Sequence, residues 1–359
     1  MKILLAFDSY KGCLSAADLC QTAAQAIRAR WTEAEVLQLP LSDGGEGMVE
    51  CVALLCPVQL VSVRAHGPLM EPLEATYALS PDGQTAFMEM AATSGLTLVP
   101  ELLRNPCRTT TYGVGEMLFD AWQRGVRHIV MGIGGSATCD AGRGMLDSLN
   151  ELHFPLFGAN ANGTSIPRIT VACDVTNPLC GPQGAAYVFG PQKGATPEQL
   201  QVLEARLRDE VFRAEKAGVI EAAKLAERPG AGAAGGLGFA LMAYLGAELR
   251  SGIDILLDIV GFEEKLQGVD LVITGEGCSD RQTLMGKVPY GVLQRAMRQE
   301  VPVHLLSGGI RDADDLLAAG FASVRSINEG DNRPLSFLMQ PDVARENLTH
   351  ALNSPLLPK

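Results

Sequence analysis

Carboxylates and lysines seated on glycine-rich turns are what this sequence offers for chemistry. Between Val126 and Gly144 a short apolar stretch, Ile129 to Met131, breaks into Gly132, Gly134 and Gly135 interleaved with Ser136 and Thr138, and then meets Asp140. Glycines after a strand allow positive φ and a close approach of backbone to ligand. Successive N–H groups in such a turn form an anion nest, to which a following helix N-terminus adds its dipole. Ser136 and Thr138 could donate to phosphate oxygens, and Asp140 could hold Mg²⁺. A tight strand-to-helix turn with no ligand explains the same glycines. Elsewhere Lys11, Lys193 and Lys287 supply positive charge, while Asp8, Asp43, Asp174 and Asp280 join Asp140 as acids for metal or proton work. That set suits Mg²⁺-assisted phosphoryl transfer, which needs charge around the moving phosphoryl group and one acid to orient or deprotonate the hydroxyl. For any one of these residues alone, a surface ion pair or a turn cap is the plainer explanation.

Other chemistries fit less well. Gly132 to Ala137 matches the dinucleotide fingerprint, but the acid it wants about 20 residues on is missing, since Leu152 to Arg168 carries none. Gly230 to Gly235 matches too, yet follows a helical segment instead of a strand. Lys287 follows Gly286 without the rest of a Walker A loop, the five histidines stand apart, and no Gly-x-Ser-x-Gly elbow occurs. A net charge of −12 with no basic block argues against nucleic acid or an anionic membrane as partner. Nine cysteines, scattered and without C-x-x-C, point to reduced thiols and a cytoplasmic protein. The opening apolar run is cut short by Asp8, too early for a signal peptide. The uncharged stretch from Gly230 to Ala247 is too short beyond its glycines to span a bilayer, and reads as a buried helix with a glycine-rich entry.

The elements that must hold these residues alternate. At 359 residues two domains are expected. Lys2 to Phe7 reads as a buried strand, a helix follows from about Ser15 with Leu19, Ala23 and Ile27 on one face, and Glu35 to Leu39 is a second strand. This is a βαβ unit and implies a parallel sheet. The same habit returns at Asp270 to Thr274 and Val301 to Leu306, each strand ending in glycine with polar or acidic neighbours. Ligands of open parallel sheets bind outside the carboxyl ends of the strands. Between these ends the texture changes: Val58 to Tyr77 and Gln84 to Met90 read as shorter, more polar strands, antiparallel in character. A helix is expected from about Val114, a strand over Ile169 to Cys173, and a helix capped by Thr196 with Pro197 and Gln199 behind it.

Taken in order, the motifs run through nearly the whole chain. They are Asp8-Ser9-Tyr10-Lys11-Gly12, Asp43-Gly44-Gly45-Glu46-Gly47, Arg108 to Gly113, Gly132 to Thr138, Cys173 to Gly181, Phe189 to Ala195, Gly230 to Gly238 and Thr274 to Gly277. Asp280, Gln282-Thr283 and Gly286 to Pro289 continue the last. In this series the chain resembles the type 1 glycerate kinase family. The resemblance implies ATP- and Mg²⁺-dependent phosphorylation of D-glycerate at the 2-hydroxyl. It also implies two different α/β domains with the active-site cleft between them: a Rossmann-like parallel-sheet domain from residues 1–60 and 263–359, and an inserted mixed α/β domain over 61–262.

Carried onto this chain, the resemblance gives each motif a role. Gly132, Gly134, Gly135, Ser136, Thr138, Gly232, Gly235 and Gly236 hold ATP phosphates together with Lys193. Asp8, Ser9, Arg108, Thr110 and Glu276 contact the acid, while Asp43, Glu46 and Asp140 hold Mg²⁺. Asp280 is the general base, with Lys11, Asp43 and Asp174 beside it in catalysis. The protein is expected to be a monomer or homodimer. Three departures from the family pattern stand out: a short segment between Met145 and Val171, Cys278-Ser279 where Arg-Leu is expected, and Cys139 with Arg143 in the central loop. Two other functions compete. One is a kinase for another small hydroxy acid on the same fold, and the other a non-catalytic sugar-acid-binding protein whose Cys278-Ser279 loop has lost turnover.

Overall fold

The first strand explains how the two chain ends meet. In the computed structural model, which describes residues 1–42, 47–156 and 165–353, β1 (Lys2–Phe7) is fully buried from Ile3 to Phe7. A strand apolar on both faces belongs inside a covered parallel sheet. The helix Ala16–Arg30 follows, capped by Ser15 Oγ accepting from Asp18 N, and returns the chain to β2 (Glu35–Gln38), parallel to β1. The remaining strands of that sheet come from the far end of the sequence. These are β9 (Leu271–Gly275), β11 (Val303–Ser307) and β13 (Ser323–Ser326), in the order β13-β11-β9-β1-β2, all parallel. From β1 the chain first adds a strand on one side and later builds outward on the other. The order therefore reverses between β1 and β9. A short parallel pair, β10 (Cys278–Ser279) with β12 (Gly309–Ile310), lies beyond the ends of β9 and β11.

The second unit has a six-stranded sheet in sequence order: β3 (Gln59–His66), β4 (Pro72–Leu79), β5 (Thr85–Glu89), β6 (His128–Gly132), β7 (Arg168–Ala172) and β8 (Glu248–Arg250). β4 runs antiparallel to its neighbours β3 and β5, and β5 through β8 are parallel. The texture change in the sequence is thus half of a mixed sheet. The helix Ala233–Leu245 is buried almost all round, as a helix without a polar face must be. Thr196 caps the helix Pro197–Lys216 in a full capping box with Gln199.

The division falls at residues 1–43 with 253–359, and 44–252, not at 60 and 262. Side chains give the reason. The helix Met48–Leu55 packs on β4 and β5, and Val49 N donates to Glu89 Oε1 at 2.9 Å. At the other boundary Arg295, on the helix Val288–Met297, pairs with Asp254, Asp258 and Glu263 and so binds that stretch to the first unit. Among the described residues no helix is long and apolar enough to cross a membrane.

Candidate active site

A cavity of about 500 Å³ opens at the carboxyl ends of β1, β9 and β11. It sits where the strand order reverses, the place at which doubly wound sheets bind ligands. Asp8 and Ser9 enter it from β1 and Glu276 from β9, with Lys11 and Lys287 beside them. Asp8 is buried, its N–H donates to Gly275 O at 2.9 Å, and its Oδ1 accepts from Ser9 N at 2.6 Å. The residues expected to contact substrate, Asp8, Ser9 and Glu276, and Lys11, expected in catalysis, therefore share one cavity.

Glu276 is held by its own loop. Its Oε1 accepts from Thr283 Oγ1 at 2.6 Å and Ser279 Oγ at 3.1 Å, and Lys287 Nζ lies 3.3 Å from Oε2. Burying a carboxylate is tolerable only with such partners. Here they also fix Lys287 against the cavity. Asp280 is the N-cap of the 3₁₀ turn Arg281–Met285: Oδ1 accepts from Gln282 N at 2.8 Å, and its own N–H donates to Thr283 Oγ1 at 3.0 Å. It stands two residues from Cys278, which lines the cavity, but does not line the cavity itself.

In the second unit the loop after β6 closes on a buried lysine. Lys193 is 3 % exposed, and its Nζ donates to Ser136 Oγ and to Thr138 O, each at 2.6 Å. Neither acceptor is an acid. Burial lowers its pKa to about 8. Beside it Thr138 Oγ1 is buried with no hydrogen-bond partner among the described residues. A desolvated ammonium next to hydroxyls is a site prepared for an anionic oxygen.

The same loop leads into a helix, Arg143–Glu151, and the carboxylate at its N-terminus is Asp140. Asp140 Oδ2 accepts from Gly144 N, Thr111 N and Thr111 Oγ1, and Oδ1 from Gly142 N, all within 3.1 Å. The helix dipole is thereby met from within the chain. Burial pushes the Asp140 pKa up against the pull of these donors.

The second glycine loop has a packing reason. Ala234, Gly235 and Gly236 are left-handed, and a Cβ on Gly235 would lie 2.0 Å from Thr138 O. Gly235 O accepts from Ala141 N at 3.0 Å, and Gly232 N donates to Asn177 O at 3.0 Å. Backbone meets backbone here, and that contact requires the glycines. Gly132 ends β6, while Gly135 turns at positive φ, its carbonyl accepting from Leu96 N.

Of the remaining expected residues, Thr110 joins the turn before the helix Tyr112–Gln123, its Oγ1 accepting from Tyr112 N at 3.2 Å, and Arg108 is exposed. Asp174 follows β7 and accepts from Gly252 N at 2.9 Å. Arg143 pairs with Asp147, and Cys139 is buried. Asp43 and Glu46 lie outside the described residues, as does 157–164, part of the short segment. No motif points to the cavity's other wall, formed by Ile327, Leu335, Leu338 and Met339. The last three are spaced i, i+3, i+4, which in sequence is the stripe of any buried helix.

A doubly wound sheet with acids and lysines at its switch point, plus a mixed sheet carrying a buried lysine on a glycine loop, defines an α/β enzyme. The chain belongs to the glycerate kinase family, whose model matches residues 3–154 and 158–354. The glycerate kinase of Bacillus subtilis (strain 168) is 42 % identical over 351 residues, covering 92 % of this chain and 91 % of that one. The glycerate 2-kinase of Escherichia coli (strain K12) is 43 % identical over 333 residues, 87 % and 86 % of the two chains. A crystal structure assigned to glycerate kinase 2 of Salmonella typhimurium LT2 superposes with a TM-score of 0.81 at 40 % identity, covering 98 % and 96 %. The expected family, fold class and enzyme class, a small-molecule kinase, agree with these matches.

Proposed function

We propose that the protein phosphorylates D-glycerate at the 2-hydroxyl, with ATP as donor and Mg²⁺ as metal. The observation that carries this reading is Lys193. A buried ammonium whose two hydrogen-bond acceptors are both neutral is costly, and the nearby Asp140 offsets only part of the desolvation. Lys193, Ser136 Oγ and Thr138 Oγ1 receive an anionic oxygen of the reactants, phosphate or carboxylate. At the cavity of the first unit Lys11 and Lys287 face the phosphate charge, and Glu276 holds Lys287 in place. Ser9 and Asp8 contact the acid.

Asp280 takes the hydroxyl proton, its carboxylate kept in one orientation by the cap on Gln282 N. Phosphoryl transfer asks mainly for positioning and charge, so few protein groups need take part covalently. Among the described residues no group of three or more metal-type side chains occurs. Mg²⁺ takes one or two carboxylates alongside phosphate oxygens. Asp43 and Glu46 would hold it. The Asp140 oxygens, expected at the metal, are engaged by four donors of their own loop and of Thr111. When bound, Mg²⁺ neutralises charge on the phosphates.

The test is the initial rate of ADP release with ATP and Mg²⁺, comparing D-glycerate, L-glycerate, tartronate and no acid. Release only with D-glycerate supports the proposal. A rate that ignores the acid, or a clear preference for another acid, overturns it.

A further inference from the structure

We infer that the cavity of the first unit seats the nucleoside of the nucleotide, its base against Ile327, Leu335, Leu338 and Met339 and its phosphates toward Lys11 and Lys287. This deepens the kinase reading above and rests on it. Three observations carry it. The first is size: a cavity of about 500 Å³ falls among the roughly 300–1,000 Å³ pockets that enclose drug-sized ligands. A three-carbon acid would leave most of it empty.

The second is chemistry. One wall is aliphatic and the other charged, with Lys11, Lys287 and Arg311 set beside Asp8 and Glu276. Glycerate, bearing an oxygen on every carbon, has no apolar surface for the aliphatic wall. A purine nucleotide has an apolar face at one end and phosphates at the other. The third is the exposure of that wall. Leu335 is 69 % and Met339 37 % exposed, on a short helix, Leu335–Leu338, that follows the cavity-lining Asn328. Large apolar side chains left to solvent at a cavity mark a surface that a ligand covers. The position agrees, since mononucleotides sit at the switch point of doubly wound sheets.

The double variant Leu335→Ser with Met339→Ser tests this, because Leu335 is largely and Met339 partly exposed to solvent. Binding of a fluorescent ATP analogue is measured without acid, and KM is measured for both substrates. The Kd for the analogue and the KM for ATP should rise about tenfold, the equivalent of ~1.4 kcal/mol, while the KM for D-glycerate stays put. Free adenosine should displace the analogue from the parent protein. Unchanged nucleotide affinity in a variant of an active enzyme overturns this location and leaves the kinase reading standing. A rise confined to the KM for D-glycerate overturns it too, giving the cavity to the acid. A parent protein that neither binds nucleotide nor releases ADP removes the kinase reading, and this inference with it.

Discussion

Lys193 Nζ lies 2.6 Å from Ser136 Oγ, a contact that joins residues 57 apart in sequence and leaves the lysine almost wholly out of water. Burial brings its pKa down to about 8, which sets two opposite pH effects. If the ammonium meets an anionic oxygen of the reactants, kcat/KM should fall as pH rises through about 8, and Lys193→Met should lose activity at least about 100-fold. Stability should move the other way. The folded-state pKa is below the unfolded value of 10.5, so the unfolded chain holds the proton longer and stability gains between about pH 8 and 10.5. The cost of the buried charge is fully present below pH 8. Urea unfolding at pH 7.5 and 10 should show this gain in the parent relative to Lys193→Met; equal pH responses in the two would contradict it.

Gly235 and Gly246 separate contact from backbone strain. Both are left-handed, with φ of +66° and +63°, but a Cβ meets Thr138 O at 2.0 Å from Gly235 and nothing within 4 Å from Gly246. Gly246→Ala should cost about 1 kcal/mol, the price of the left-handed conformation alone. Gly235→Ala should cost clearly more, about 3 kcal/mol, because backbone must shift. Equal losses on denaturation would show that the packing against Thr138 is unimportant.

Asp280 has a cap role and a proposed proton role, and two substitutions tell them apart. Asparagine caps about as well as aspartate, so Asp280→Asn should unfold within about 0.5 kcal/mol of the parent while turnover drops at least about 100-fold. Asp280→Ala should lose the same turnover and about 1 kcal/mol of stability besides. Near-normal turnover in Asp280→Asn would leave Asp280 as a cap and nothing more.

Arg295 draws Asp254, Asp258 and Glu263 together, its side chain only 11 % exposed and 2.7 Å from Asp258. Lysine keeps the charge but cannot fork between several carboxylates. Arg295→Lys should therefore destabilise the first unit by about 1–2 kcal/mol, read as a lower urea midpoint. A midpoint like the parent's would mean that charge alone suffices.

What was legible in the sequence was periodic or local. Ile3 to Phe7, Leu19, Ala23 and Ile27 announced a parallel βαβ unit because burial on both faces of a strand and on one face of a helix leaves its mark on residue order. The Thr196 cap was legible for the same reason, since all its parts lie within four residues. Long-range causes were not. Nothing near Gly235 in sequence reveals that Thr138 O presses on it. Nor does residue type reveal that Asp140 accepts from Thr111 and Gly144, which come from two segments. Arg295 gains its role only from the fold, which sets three acids around it. The motif residues Asp8, Ser9, Lys11 and Glu276 were visible as strand-end polar groups, whereas the apolar wall facing them had no polar signature to find.

The most direct test of the central claim is the NMR spectrum of the product made from D-glycerate, ATP and Mg²⁺. Phosphorylation at the 2-hydroxyl predicts a phosphorus coupled to the single methine proton of the acid. Coupling to the two methylene protons would place the phosphate on the 3-hydroxyl, and the absence of any phosphorylated acid would contradict the assignment outright.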